Sequence, residues 1–470
     1  MNAAVSTSRA ARRRWRWVLL STGLGSWLVT ASLSTINVAF PELQERFSGY
    51  SLRTLSWVVT SYTIAFGALL IPSGRIADRY GRRLVFNYGL ALFAAGALLS
   101  AVSPSLGLLI TGRVLQGVGG AVIVPASLGL LLEVSEDRDR LRSVTLWSVS
   151  NTVGGASGPT LGALVVNAGG WRGTFFFGAV AAAITWLIGR KHLPRSGPGS
   201  EDAAIDVFGV LLTAFAMAAI TLAVAEGNNW GWTSRSVVGL FVAAMAALLA
   251  LVRRSQRHPQ PILPLDLFRH RMFSVSIVAL AVFGIAGGGM QLLNVLFLRN
   301  VWDYSALQAG IAVTPAPAFA TLCAPFSGRL GERFGARAVA VPGAIVLAIG
   351  VGWYLVALDA SPSYWAAFFP ASAITGIGVS MIFPMLSAAA VQDADAPRLS
   401  LASGTARTAN QLGTAIGISL LFAALGDAPD ALSHFHDGWR LLLVTTALAG
   451  LIATGLSPHR RERGAPWTRR

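Results

Sequence analysis

Two guanidinium groups stand in stretches otherwise fit for a lipid interior: Arg113 in LLITGRVLQGVGG and Arg407 in SGTARTANQLGTAIG. A cation at membrane depth is costly and is normally paired, bonded to carbonyls or turned to a wet cavity. Arg113 could therefore hold a carboxylate, bond carbonyls or receive an anionic group. Polar side chains recur in similar surroundings: Gln116 one turn from Arg113, Gln291 and Asn294 in one apolar run, Asn410 and Gln411 in another. Such groups either line a cavity or join helices by hydrogen bonds. The missing partner is an acid, because all 21 Asp and Glu can be assigned to loops, tails or the ends of apolar runs. Three readings of Arg113 stay open. It clamps backbone carbonyls and the hydroxyls of Ser32, Ser34 and Thr35, or it faces a cavity and binds a substrate group, or Glu226 or Asp303 reaches inward to complete a proton switch. Arg407 lies near the start of its run, where snorkelling to the interface is the expected role.

Other chemistries find little support. The six histidines, at 192, 258, 270, 434, 436 and 459, fall outside the apolar runs, and His434, His436 and Asp437 read as a solvated loop rather than a metal site. Cys323 is the single cysteine, so no intramolecular disulfide can form. No acid, histidine or cysteine cluster suggests an enzyme, no phosphate-binding G-x-x-x-x-G-K-[ST] loop suggests ATP, and no cofactor is implied.

The elements that must position these residues are membrane helices. Of 470 residues, 54% are hydrophobic and 12% charged, with a mean hydropathy of +0.59, well outside the balance of a soluble domain. Fourteen runs approach the roughly 20 residues that cross about 30 Å of hydrocarbon. The net charge of +16 could suggest nucleic acid, but 29 of the 37 Lys and Arg fall in segments that lie on one side when the N-terminus is cytoplasmic. That asymmetry is the positive-inside rule, which makes the basicity a matter of topology and places both termini inside. ARRRWRW at 11–17 reads as an inner-leaflet anchor before an uncleaved first span.

One loop occurs twice. SGRIADRYGRR at 73–83 and SGRLGERFGAR at 327–337 share six of eleven positions, each between two spans, which argues for a duplicated unit. Gly74 and Gly328 allow close helix approach, and Gly81 and Gly335 allow tight turns. Asp78 beside Arg79, Arg82 and Arg83, and Glu332 beside Arg333, offer ion pairs that form and break as helices shift. The expected layout is six plus two plus six spans: a lobe over 1–200, a linker and two-helix insertion over 201–262, and a second lobe with a cytoplasmic tail over 263–470. In the fifth span, Gly154, Gly158 and Gly162 form one small-residue face, and Pro159 can kink the helix there.

With these features assembled, the chain resembles the major facilitator superfamily, and within it the fourteen-span drug:proton antiporter branch of multidrug exporters. The loop motif G-x-L-a-D-r-x-G-r-r matches Gly74, Ile76, Asp78, Arg79, Gly81, Arg82 and Arg83. The span-four motif R-x-x-Q-G-x-G matches Arg113, Gln116, Gly117 and Gly119. The span-five motif G-x-x-x-G-P-x-x-G-G matches Gly154, Gly158, Pro159 and Gly162, with Ala163 replacing the last glycine. SWVVTSYTIAF at 56–66, IDVFG at 205–209 and LQAGIAVTP at 307–315 also match. The resemblance implies an all-α polytopic fold of two pseudo-symmetric lobes in the plasma membrane, a monomer, and a small-molecule substrate exported against protons through a midplane cavity. One departure stands out. The family's span-one motif carries an Asp where this chain, aligned on Asn37, Val38, Ala39 and Pro41, has Ser32.

Overall fold

The computed structural model describes residues 2–135, 140–194, 206–258, 261–263, 265–392, 399–425 and 432–457, and among them it is helical with no strand. The helices are α1 (Asn2–Arg46), α2 (Leu52–Tyr80), α3 (Arg82–Ala101), α4 (Leu106–Glu133), α5 (Arg140–His192), α6 (Val207–Trp230), α7 (Arg235–Ser255) and α8 (Arg271–Asn300). They continue with the short α9 (Ala306–Ala312), then α10 (Pro315–Phe334), α11 (Ala336–Ala357), α12 (Phe369–Val391), α13 (Leu399–Leu425) and α14 (Leu432–Ala453). Twelve helices among the described residues are long and apolar enough to cross a membrane, α9 and α10 counting together. The two further runs read from the sequence have identifiable places. One shares α5, which leaves helical geometry at Gly169 and Gly170, the latter at φ 64°. There the chain doubles back, because a methyl group on Gly173 would lie 3.0 Å from the Val165 carbonyl, whereas eight residues of straight helix span about 12 Å. The other is α14, whose first turns carry His434, His436, Asp437 and Arg440 and so fall short in hydropathy.

Local sequence explains the helix ends. Serines 51, 105 and 234 each accept a hydrogen bond from the backbone N–H three residues on, which satisfies an otherwise orphaned donor. Ser305 and Gln308 form a reciprocal capping box at α9. Gly81 (φ 96°) and Gly335 (φ 87°) stand at the matching turns of the repeated loop, in backbone that side chains other than hydrogen rarely tolerate.

Packing divides the molecule unevenly. One buried cluster, with Val18, Leu28, Tyr62, Phe86 and Trp147, belongs to the N-terminal lobe alone. A larger one joins Phe40, Leu55 and Val58 of that lobe to Leu292, Phe297 and Phe422 of the other. The lobes are sealed at the end away from the repeated loops. There Phe40 meets Phe422 with centroids 5.1 Å apart, Arg299 lies 3.7 Å from Glu45, and Thr160 and Thr314 share a 2.7 Å hydrogen bond.

The α6–α7 pair is docked on the seam between lobes. Met217 of α6 packs with Ile64 and Ala68 of α2 and Ala415 of α13. Asp206, at the N-terminus of α6, accepts hydrogen bonds from the Gly209 N–H (2.9 Å) and from Arg254 of α7. Burial pushes the Asp206 carboxyl up, but those two hydrogen bonds and the charges of Arg254 and His258 outweigh it and hold it below the usual range.

Candidate functional site

The span-four motif owes its shape to its glycines. A methyl group on Gly117 would lie 2.6 Å from the Tyr62 carbonyl of α2, and one on Gly119 would lie 2.7 Å from the Phe93 nitrogen of α3. Without side chains there, α4 presses against both neighbours, and Arg113 is carried into the lobe interior at 0% exposure. Its Nε donates to the Val58 carbonyl at 2.8 Å and one terminal nitrogen donates to Gln116 Oε1 at 3.0 Å. Its charged carbon lies 4.3 Å from the centre of the Tyr62 ring. Tyr62 is held in turn by a long, 3.4 Å hydrogen bond to the Val29 carbonyl of α1. A carbonyl, an amide and an aromatic face thus surround the cation in place of a carboxylate. Such charge-assisted bonds are worth about 1.5–3 kcal/mol each, and a desolvated cation–π contact about 2 kcal/mol. The other terminal nitrogen is buried without a partner.

The α1 residues sit elsewhere. Ser32 is half-buried and its carbonyl accepts from the Thr35 hydroxyl at 3.3 Å; Ser34, Thr35 and Asn37 are buried. None of these hydroxyls bonds Arg113 among the described residues. Ser34 and Thr35 face α5 instead. A methyl group on Gly154 would meet the Trp27 carbonyl at 2.6 Å, one on Gly158 the Ser34 side chain, and one on Gly162 the Thr35 Cα at 2.9 Å. The small-residue face therefore packs α5 on α1 within one lobe. The adjacent face, with Pro159 and Ala163, meets the other lobe, where a methyl group on Gly310 of α9 would press on the Ala163 side chain and lie 2.7 Å from the Pro159 carbonyl.

In the second lobe the polar candidates part company. Asn294 is buried and accepts from Trp439 Nε1 at 3.1 Å, within an aromatic group that includes Tyr354 and Phe297. Asn410 donates to the Leu280 carbonyl of α8 at 3.2 Å. Both join helices. Gln291 and Gln411 each bury an Nε2 with no partner, and Gln411 abuts Gly67 of α2 across the seam.

The loop motifs differ in the same way. In the first, Arg82 pairs with Asp78 at 2.9 Å and also donates to the Gly129 carbonyl at the end of α4 (3.1 Å). Arg83 donates to the Arg190 carbonyl at the end of α5 (2.7 Å), Arg79 lies over the Tyr80 ring, and Gly74 is half-buried. In the second, Glu332 and Arg333 are exposed, Arg333 lies over the Phe334 ring at 5.1 Å, and a methyl group on Gly328 would meet nothing within 4 Å.

Sequence reading missed Gly310, whose only signal was the quoted LQAGIAVTP. It also missed Tyr62, visible in SWVVTSYTIAF as an aromatic one turn beyond Val58, whose carbonyl Arg113 takes.

This two-lobed helical architecture is that of a membrane transporter. The sequence matches the Major Facilitator Superfamily over residues 22–293 and 272–469, and the chain belongs to that family. Relatives include the multidrug resistance protein Stp of Mycobacterium tuberculosis (strain CDC 1551 / Oshkosh), 30% identical over 87% of this chain and 75% of that protein. The methylenomycin A resistance protein of Streptomyces coelicolor is 30% identical over 93% of this chain and 90% of that protein. The puromycin resistance protein pur8 of Streptomyces alboniger is 31% identical over 87% and 81%. In fold, the chain is similar to a mutant of the nucleoside transporter NupG, with a TM-score of 0.66 at 13% identity, covering 93% of this chain and 99% of that one. The chain is a multi-pass membrane protein and acts as a transporter rather than an enzyme.

Proposed function

We propose that the chain is a secondary active exporter of drug-like or amphipathic small molecules, working by alternating access and, as its span-five motif implies, against protons. The observation that carries this reading is the fit of Pro159 and Ala163 against Gly310. Pro159 of the antiporter motif and Ala163, which replaces the motif's last glycine, lie at the contact between lobes, where a leak would dissipate a gradient. The relatives named for drug resistance agree with it. On this reading the lobes are 1–200 and 263–470, the insertion is 201–262, both termini and the repeated loops are cytoplasmic, and the cavity opens inward in this state. Gating falls to the loop residues around Asp78 and Glu332, and cavity or coupling roles fall to Arg113, Gln116, Ser32, Asn37, Gln291, Asn294, Asn410 and Gln411.

A second reading, a facilitator or exporter of an anion without proton exchange, is favoured by Ser32 and by the neutral cradle around Arg113. A drug-susceptibility panel in an exporter-deficient host tests export: resistance that an Arg82→Ala variant lacks supports it, and equal susceptibility with and without the protein refutes it. In everted vesicles a substrate-evoked collapse of a preset pH gradient supports proton exchange. Transport unaffected by an uncoupler supports the second reading.

A further inference from the structure

Arg407 points into the space between the lobes, and its neighbours on α13 fix that direction. Helical residues advance by about 100° each. On one side of Arg407, Thr408 donates to the Gly67 carbonyl of α2 at 2.8 Å and Gly404 lies against Ile71 of α2. On the other side, Asn410 bonds the Leu280 carbonyl of α8, and Gly413 and Gly417 pack on Ala281 and Ile285. The outward side of α13 carries Leu412, which packs with Met217 of the peripheral α6. Arg407 therefore lies on the arc between the first lobe's α2 and the second lobe's α8. Along that arc Phe422 closes one end against Phe40, while Ser403, a turn toward the loops, is exposed.

The guanidinium is half-buried, eight residues along α13 from Leu399, or about 12 Å along its axis. It has no hydrogen bond, ion pair or ring partner among the described residues, unlike Arg113. The described carboxylates all stand in loops or near helix ends, so none neutralises it. One turn further on the same face, Gln411 buries an unpartnered amide donor.

We propose that the cavity takes anionic amphiphiles, molecules with a carboxylate, sulfonate or acidic phenol on an apolar body, and that Arg407 receives the anionic group with Gln411 as a neighbouring donor. This rests on the exporter reading and specifies its cargo. A half-buried cation without a counter-charge repels cationic drugs and gains a charge-assisted bond from an anion. An interior-negative potential also drives an anion outward, so such a cargo needs no membrane carboxylate to supply the driving force.

The test uses the full chain, purified, with fluorescent amphiphiles matched in size and opposite in charge, carboxyfluorescein against rhodamine 123 and further pairs built alike. Binding is read by anisotropy, and efflux is read separately in an exporter-deficient host. The anionic members should bind preferentially. Arg407→Gln should weaken them about tenfold, Arg407→Lys should retain part of the affinity, and Arg407→Glu should shift preference toward the cations, with melting temperatures near the original for at least the Lys and Gln variants. Equal or stronger binding of cations, anion binding indifferent to Arg407→Gln, or binding of no pair member overturns the inference. Anion binding that depends on Arg407 without efflux supports it while refuting the exporter reading.

Discussion

The two copies of the repeated loop share six of eleven residues but are bonded differently. In the first, Arg82 ties Asp78 to the end of α4, Arg83 reaches the end of α5, and Arg75 donates to the Pro261 carbonyl before α8 at 3.2 Å. The second is loose: Glu332, Arg329 and Arg333 are exposed. One substitution accounts for the missing ion pair. Arg82 corresponds to Ala336, so Glu332 lacks the partner four residues on that Asp78 has. Arg75 also faces the charge of Asp206, which links the first loop to the α6–α7 insertion, whereas Arg329 has no ion pair among the described residues. A duplicated motif is fastened in one lobe and loose in the other.

Mutations can separate what the copies share from what they do not. The largest effect should be common to both. Gly81→Val and Gly335→Val force a side chain into backbone at φ 96° and 87°, at a cost of about 1–3 kcal/mol each, and thermal unfolding in detergent should show comparable losses for the two. A loss confined to one glycine would show that only one loop holds its turn.

The next effect belongs to the first copy alone. Asp206→Asn should cost about 1–2 kcal/mol, because it removes a carboxylate that is 0% exposed from an arginine that is 33% exposed. The sign of its pH dependence follows from a carboxyl held below the usual range. Its stabilising contribution is fully present above the unfolded value of about 3.9 and is lost as pH falls through the lower folded value. The difference in melting temperature between wild type and Asp206→Asn should therefore persist at pH 5 and shrink only below about pH 4.

Arg82→Ala should cost about 1 kcal/mol, since its ion pair is half-exposed and worth little alone while its bond to the Gly129 carbonyl adds to it. Glu332→Gln in the second copy should change stability by less than about 0.5 kcal/mol. Ala336→Arg should have the smallest effect, adding an i,i+4 pair of about 0.3–0.5 kcal/mol and slowing turnover if loosening of the second loop limits the cycle. Equal effects of Arg82→Ala and Glu332→Gln would remove the asymmetry.

The sequence made the helices legible because spans announce themselves by length and hydropathy, and the turns of the repeated loop by glycine. Arg113 was visible as an anomaly, but its answer was not. Its partners are a main-chain carbonyl and an aromatic face on a neighbouring helix, and carbonyls leave no trace in residue identity. Asn294 and Asn410 looked like Gln291 and Gln411 on paper; which of them bonds a neighbouring helix depends on helix rotation, which side-chain type alone does not encode. Arg407 illustrates the same limit. Its position near a helix start suggested the interface; the packing of Gly404 and Thr408 on α2, which sets the direction it faces, leaves no trace in its own residue type.

Alternating access is the central claim, and the seal beside Thr160 and Thr314 is where it can be tested. With Cys323 changed to Ser, paired cysteines at positions 160 and 314 replace hydroxyls 2.7 Å apart and should form a disulfide on oxidation. Export measured before oxidation, after it and after reduction should be present, absent and restored, because a locked seal prevents the opposite opening. Undiminished export from fully cross-linked protein would contradict the account.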